Sequence, residues 1–234
     1  MTAALGLGLP DPLQLLGSRS RVLPRSDAPA LSHWLEPELL DGALGRYARN
    51  WPQADRRAVA SQWHQESSAL ILPPLLLAGL LNAREVSFDP SQLRMTVDEL
   101  GAPSELHLPD AGGALDERGG GALQLEKLCE LLLEPFVIRF AARTGLAPRL
   151  LWGNAALCID WVLQVAETCK STRLLREARL HFLDLHAIDS CSPLRRALRR
   201  NVSGLTRRIC CLRERLPMPR CAVCPLAPCR NELH

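Results

Sequence analysis

The sequence predicts an α+β fold that is predominantly α-helical, with a small antiparallel β-sheet and a cysteine-rich C-terminal loop. Three observations lead to this fold class. Apolar residues recur at helical spacing in several long segments. Between residues 86 and 108 they alternate instead, as in half-buried strands. Near the C-terminal end, four cysteines lie within fifteen residues of a segment that contains several prolines.

Six segments carry the helical pattern. Pro52 and Pro74 stand at predicted first-turn positions, where proline opens a helix without losing a hydrogen bond. Gly145 supplies a C-terminal stop for another helix. The predicted helices are Trp34–Ala48, Pro52–Ser67, a segment from Pro73 to Leu81, Leu123–Thr144, Pro148–Cys169 and Thr172 to about Ala187.

The alternating segment predicts the sheet, and the remaining residues define the domain organisation. The strand residues are Val86, Phe88, Leu93, Met95, Val97, Leu106 and Leu108. A glycine-rich loop follows at Gly112–Gly121, without a phosphate-binding pattern. We expect an N-terminal arm at residues 1–30, a mainly helical domain at residues 31–192 and a C-terminal metal-binding segment at residues 193–234.

Composition and motifs restrict the function. A net charge of +3 over 234 residues is too small to indicate nucleic-acid binding. The chain has no Gly-x-Ser-x-Gly elbow, Walker loop or Rossmann fingerprint. The most apolar run, Ala69–Leu81, is shorter than the roughly 20 residues that cross a bilayer. The first residues do not form a secretory signal, so reduced cysteines and a cytoplasmic location are expected.

The cysteines near the C-terminus have the spacing of metal ligands. Cys210, Cys211, Cys221 and Cys224 follow the pattern C-C-x9-C-x2-C. Four thiolates suit either tetrahedral zinc or an iron-sulfur cluster, and the spacing alone leaves these two about equal. The six histidines form no close ligand pair, which makes a mixed Cys/His site a minor alternative. By contrast, three cysteines within apolar helical patterns are expected to be buried and inert: Cys129, Cys158 and Cys169.

The segment from Arg207 to Leu226 resembles the C-terminal signature of the FhuF family of siderophore-iron reductases. Trp63, the Pro73-Pro74 pair and the L-W-G-N of residues 151–154 are similar to other family landmarks, in the same order. The resemblance implies that the four cysteines bind a [2Fe-2S] cluster. The loop between the two cysteine pairs has nine residues where the family usually has ten, so Cys229 is an alternative ligand.

The resemblance further implies one-electron reduction of ferric siderophores, which releases ferrous iron in the cytoplasm. The expected partners are the ferric siderophore and an electron donor that the sequence does not identify. Peripheral association with the inner membrane is compatible with this function, because ferric siderophores arrive there through a transporter. Two alternatives remain open, namely a zinc-stabilised binding protein and a non-catalytic iron-sulfur sensor or siderophore carrier.

Several side chains are candidates for docking the substrate. The arginines near the cysteines form either a solvated basic face or a group that tunes the cluster and attracts an anionic chelate. Asn154, on an apolar helix, either ties two elements together or lines a pocket. The complete docking set is Arg207, Arg208, Arg213, Arg215, Trp152 and Asn154.

Overall fold

The computed structural model describes residues 19–22, 27–116, 120–184, 193–201 and 204–226. Within them the fold is mainly helical, as the sequence predicts. The α-helices are α1 (Pro37–Tyr47), α2 (Arg56–Asn82), α3 (Gly120–Lys127), α4 (Glu134–Thr144), α5 (Pro148–Cys169), α6 (Arg173–Leu183) and α7 (Pro193–Arg196). A π-helical turn, Leu128–Leu133, joins α3 to α4. Three 3-10 turns complete the helical structure at His33–Leu35, Ala48–Asn50 and Arg213–Arg215.

Helix α2 corrects the prediction of two separate helices on either side of residue 70. It is continuous for 27 residues and contains both Pro73 and Pro74. Each of these prolines removes a backbone hydrogen bond from the helix interior. Every residue from 70 to 81 is nonetheless buried, so tertiary packing outweighs the local preference to break. The helix begins after Asp55, whose carboxylate accepts a hydrogen bond from the Arg57 amide.

A three-stranded sheet covers one side of the helical body. Strand β4 (Pro103–Leu108) pairs antiparallel with β3 (Arg94–Val97), which confirms the predicted antiparallel pair. On its other edge, β4 pairs in parallel with β1 (Ser20–Val22), which makes the sheet mixed. Strand β1 comes from the segment that was expected to be an N-terminal arm. It was not predicted, because a strand of three residues is too short to show an alternating pattern.

Two short antiparallel pairs complete the strands of the described residues. Strand β2 (Arg84–Glu85) pairs antiparallel with β5 (Gly113–Ala114). Strand β6 (Leu198–Asn201) pairs antiparallel with β7 (Gly204–Arg207), directly before the cysteines. This second pair was not predicted from the sequence, because its arginines hide the alternation of strand residues. It carries the chain from the helical body to the cysteine-rich segment that follows.

The core lies where α2, α4 and α5 meet, and aromatic residues organise it. The Trp63 ring stacks on Phe140 with a centroid distance of 5.8 Å. Trp63 Nε1 also donates a hydrogen bond to the Gly101 carbonyl, 2.8 Å away, which links α2 to the loop before β4. Trp34 Nε1 donates to the Met95 carbonyl in the same manner. Among the described residues, no helix is long and apolar enough to cross a membrane.

Candidate metal centre

Four cysteines follow strand β7, on a short segment that packs against the start of α2. Cys211 and Cys224 are buried, whereas Cys210 and Cys221 are half-buried. The Sγ atoms of Cys211 and Cys221 lie 3.8 Å apart although ten residues separate them in sequence. The structure therefore brings together cysteines from both halves of the predicted ligand motif.

Backbone hydrogen bonds hold this segment in place. The Arg207 amide at the end of β7 donates to the Val223 carbonyl, at a distance of 3.4 Å, within the C-x2-C turn. The Cys224 amide donates to the Cys221 carbonyl and closes that turn. Leu212 has a φ of 64°, in the left-handed region, and this reversal lets its amide donate to Cys210 Sγ. The turns orient the thiols through the main chain as well as through packing.

The spacing of the sulfurs suits a metal. Two sulfurs bound at about 2.3 Å to one tetrahedral metal lie about 3.8 Å apart, which is the separation of Cys211 and Cys221. Within the part of the chain that the structure describes, no three His, Cys, Asp or Glu residues already form a complete metal site. The geometry therefore fits two ligands on one metal, and Cys210 and Cys224 would have to move to complete a four-cysteine set.

Hydrogen bonding and charge favour a thiolate at Cys211, the form in which cysteine binds metals. The Cys221 thiol donates to it and lowers the pKa of Cys211, and the positive charge of Arg207 lowers that pKa further. The same hydrogen bond, together with burial, raises the pKa of Cys221. Burial raises the pKa of Cys210 as well. A bound cation would favour the deprotonated form of all four thiols.

Arg207 is the main electrostatic feature of the site. Its side chain is 1% exposed, and Nη1 donates a hydrogen bond to Asn154 Oδ1 at 2.5 Å. Its Nε atom is buried without a hydrogen-bond partner among the described residues. A buried guanidinium is costly unless an anion compensates its charge. The Cys211 and Cys221 sulfurs are within its electrostatic reach, so an anionic metal-thiolate centre would supply that compensation.

Asn154 connects the arginine to helix α2 and thereby to the cysteines. Its Nδ2 donates to the Ser61 carbonyl at 3.2 Å, and Ser61 Oγ donates to the Cys211 carbonyl at 2.7 Å. A methyl group at Gly153 would come within 3.4 Å of Arg207 Nη1, so glycine leaves room for the guanidinium. The L-W-G-N segment therefore receives the buried arginine. Asn154 acts as a tie between elements, one of the two roles considered from the sequence.

His64 lies on the same buried face of α2, and sequence reasoning did not assign it a role. Its Nδ1 is 3.5 Å from Asn154 Nδ2, and its ring packs edge-on against Phe140. Burial, followed by the charge of Arg207, lowers the pKa of His64 to about 3, so the ring is neutral near pH 7. The sequence signal that could have indicated a role for His64 was its place among apolar residues of α2, since buried polar side chains require hydrogen-bond partners.

The candidate docking residues divide into two groups. Trp152, Asn154 and Arg207 are buried, which removes them from any surface that a substrate contacts directly. The other three lie at the surface or partly buried: Arg208, Arg213 and Arg215. Arg208 Nε donates to the Leu198 carbonyl, and Arg215 Nη1 lies 2.6 Å from an Asp55 carboxylate oxygen. Cys229, the alternative ligand, lies outside the described residues.

Three cysteines were expected to be buried and inert, and the structure meets this expectation in part. Cys129, Cys158 and Cys169 lie on the helices and are half-buried rather than fully buried. Burial raises the pKa of Cys129 and of Cys158 to about 12, so both remain protonated and unreactive near neutral pH. They serve as natural controls for the C-terminal cysteines.

A cleft of about 550 Å³ lies between three of the helices, and sequence reasoning did not predict it. Helix α1, the first turns of α2 and the end of α4 form its walls. Its apolar lining includes Leu44 and Val59, and its charged rim contains Arg56, Arg57, Arg143 and Asp41. The sequence could not reveal the cleft, because residues from three separate helices create it.

Comparison with known proteins identifies the family. Residues 61–206 match the family described as "Ferric iron reductase FhuF-like transporter". The chain belongs to this family. The match confirms the resemblance found in the sequence, and it ends just before the first cysteine of the motif. A protein named "Ferric siderophore reductase" from Escherichia coli (strain K12) is 27% identical over 215 residues, covering 86% of this chain and 80% of that protein.

Proposed function

We propose that this FhuF family protein is a ferric-siderophore reductase of the cytoplasm. It delivers one electron to the iron of a ferric siderophore and thereby releases ferrous iron. The observation that carries the proposal is the Cys211–Cys221 sulfur pair, spaced as two ligands of one metal, with the buried guanidinium of Arg207 close by. Membership in a family described by ferric iron reduction gives this pair a chemical purpose.

Cys210, Cys211, Cys221 and Cys224 would hold a [2Fe-2S] cluster. When bound, the cluster would supply single electrons to the substrate. The ferric iron of a siderophore is bound by hard oxygen ligands, which hold ferrous iron much less tightly. Addition of one electron therefore loosens the complex without breaking a covalent bond of the chelator. The electron donor is a separate partner, and the enzyme acts free or at the inner face of the membrane.

The residues around the cysteines would support electron transfer in three ways. Arg207 places a positive charge beside the sulfurs, which favours the reduced state. Asn154 holds this guanidinium in position, and Ser61 fixes the Cys211 backbone. At the surface, Arg208, Arg213 and Arg215 would attract an anionic chelate or an acidic donor. The residues expected to form one docking patch thus form two groups. One lies in the interior and holds the charge of Arg207, and the other lies at the surface and would attract a partner.

The first experiment establishes the metal. Protein purified without oxygen should contain two irons and two acid-labile sulfides per chain, as the cluster formula requires, and should give a paramagnetic resonance signal after reduction. Because the sulfur spacing fits zinc equally well, zinc content is measured on the same sample. Colourless protein with stoichiometric zinc and no sulfide would replace the reductase with a zinc-stabilised binding protein.

The second experiment assigns the ligands. Serine replacement of Cys210, Cys211, Cys221 or Cys224 should abolish the cluster or alter its absorption and resonance spectra. Serine at Cys169 is the matched control, since this half-buried cysteine lies at the end of α5. Serine at Cys229 should also leave the spectra unchanged. If the Cys229 variant instead loses the cluster and the Cys221 variant keeps it, Cys229 rather than Cys221 is the ligand.

The third experiment separates the enzyme from a sensor or carrier. Reduced protein is mixed with a ferric siderophore without oxygen, and its reoxidation is followed by absorbance while ferrous iron is trapped by a chromogenic chelator. A reductase should form one ferrous iron for each electron that the protein loses. Reoxidation no faster than in buffer alone would contradict turnover.

A further inference from the structure

The cleft between α1, α2 and α4 has the size and lining of a small-molecule site. Its volume of about 550 Å³ lies within the roughly 300–1,000 Å³ range of ligand sites. Leu44, Val59 and Ala60 give it an apolar wall, and Gly45 leaves the side towards α1 open. The cleft is therefore better suited to an amphiphilic ligand of moderate size than to a flat protein surface.

The charge of the cleft favours an anion. Arg56, Arg57 and Arg143 face a single carboxylate, that of Asp41, which forms an ion pair with Arg143. Arg56 and Arg57 are exposed and have no carboxylate partner among the described residues. Both stand in the first turn of α2, whose free amide groups add to the positive potential there. Two guanidinium groups thus remain available to a ligand.

The cleft is also next to the cysteine-rich segment. Arg57 precedes Ser61 by four residues, so both lie on one side of α2, about 6 Å apart along the helix axis. Ser61 contacts the Cys211 carbonyl directly. At the rim, Asp55 accepts hydrogen bonds from the Arg57 amide and from the Arg215 side chain, which belongs to the cysteine-rich segment. The cleft and the Cys211 backbone therefore adjoin successive turns of the same helix.

We propose that this cleft is the docking site for the ferric chelate and that Arg56 and Arg57 make it selective for chelates with net negative charge. The proposal rests on the reductase function and adds to it a site and a substrate class. Iron bound by catecholate or carboxylate oxygens forms such an anion, whereas a ferric trihydroxamate core is neutral. Electrostatic attraction to the arginines would favour the anionic class and would weaken as salt increases.

The test measures binding without electron transfer. Gallium(III) has the charge of ferric iron but is not reduced under these conditions, so gallium chelates report docking independently of the cluster. Binding of an anionic gallium tricatecholate to the purified full-length protein is measured by isothermal titration at low salt. Replacement of either Arg56 or Arg57 by glutamate should weaken binding about tenfold. Neutral gallium trihydroxamate should change less than about twofold, since it lacks the charge that the arginines attract.

Arg176→Glu is the matched charge control. Arg176 is an exposed arginine in α6. The Thr172 hydroxyl, at the start of α6, donates a hydrogen bond to the Leu80 carbonyl of α2. Leu80 lies about 36 Å along the helix axis from Arg56. This variant should bind the anionic chelate like the wild type. Glutamate in the first turn of α2 is compatible with the helix dipole, so the cleft variants should fold normally.

A second pair of variants tests the cleft by size. Gly45→Leu introduces a side chain into open space within α1, where leucine is also a better helix former than glycine. It should weaken gallium tricatecholate binding at least about tenfold without lowering the unfolding temperature. Gly42→Leu, on the same helix but outside the cleft lining, should bind normally.

Three results would overturn the docking site. The first is equal binding by the Arg56→Glu, Arg57→Glu and Arg176→Glu variants, and the second is normal binding by Gly45→Leu. The third is absence of any gallium chelate binding to the wild type. None of these results affects the reductase function, which depends on the cluster analysis and on ferrous iron formation. Failure of the site and failure of the function are therefore distinguishable.

Discussion

The hydrogen bond between Arg207 and Asn154 makes a sharp quantitative prediction. Replacing Asn154 with leucine keeps the branched shape and the number of heavy atoms but removes the acceptor that lies 2.5 Å from the buried guanidinium. It also removes the donor to the Ser61 carbonyl. Because Arg207 is 1% exposed, water cannot take the place of Asn154 without disturbing the packing.

The magnitude follows from these contacts. A hydrogen bond to a charged group contributes about 1.5–3 kcal/mol, and the additional bond to the helical Ser61 carbonyl contributes about 0.5–1.5 kcal/mol. The added apolar side chain offsets about 1 kcal/mol. We expect Asn154→Leu to lower the free energy of unfolding by about 2 kcal/mol. Arg207→Met should also destabilise, and the double variant should be about 2 kcal/mol more stable than the sum of the single effects predicts.

The assay is urea unfolding followed by far-ultraviolet circular dichroism, with all variants handled without oxygen. Gln164→Leu is the control, because Gln164 lies exposed on the same helix and bonds to Asp160 near the surface. Its effect should stay below about 0.5 kcal/mol. A coupling energy below about 0.5 kcal/mol between Asn154 and Arg207 would refute the idea that they act as a unit.

Two further predictions concern pH and helix capping. Because the pKa of His64 is lowered to about 3 in the folded protein, the unfolded chain binds the extra proton first as pH falls below about 6.5. As the pH falls from about 7.5 to 5, this residue should lower the free energy of unfolding by about 2 kcal/mol. In urea unfolding, the His64→Gln variant should not show this loss. The control variant His33→Gln, changed at an exposed histidine, should show the same loss as the wild type. Equal pH slopes in the two variants would disprove it. Asp55→Ala should cost about 1 kcal/mol through loss of the α2 cap, whereas Arg215→Ala, which removes only an exposed ion pair, should cost less than about 0.5 kcal/mol. Thermal unfolding measures both, and similar shifts would contradict the capping role.

Local patterns in the sequence predicted the regular elements well. Helical spacing placed helices over residues 123–144 and 148–169, and the structure contains both, with a π-turn in the first. Alternation identified β3 and β4. The Pro73-Pro74 pair led to a wrong prediction of a helix break. Prolines do destabilise a helix interior, but burial in the assembled core outweighs that cost here. Strand β1 was beyond local reasoning, because its parallel partner lies some 85 positions away in the chain.

The candidate site was predictable in composition but not in arrangement. The cysteine spacing anticipated that Cys211 and Cys221 meet. Arg207, in contrast, was expected at a docking surface with its neighbours, and the structure buries it against Asn154. An arginine in a basic segment gives no local sign of its burial, since the sign lies in Gly153 and Asn154, more than fifty residues earlier. Tertiary contacts of this kind decide which charges a substrate meets.

The continuity of α2 has a consequence for the range of chelates that can react. Successive turns of this one helix carry the cleft wall and the serine that holds the Cys211 backbone. Under the proposed docking, this helix sets how near a bound iron comes to the sulfurs. Chelates of different bulk would then differ in their rate of electron transfer, because a larger ligand shell keeps its iron farther from the cleft wall.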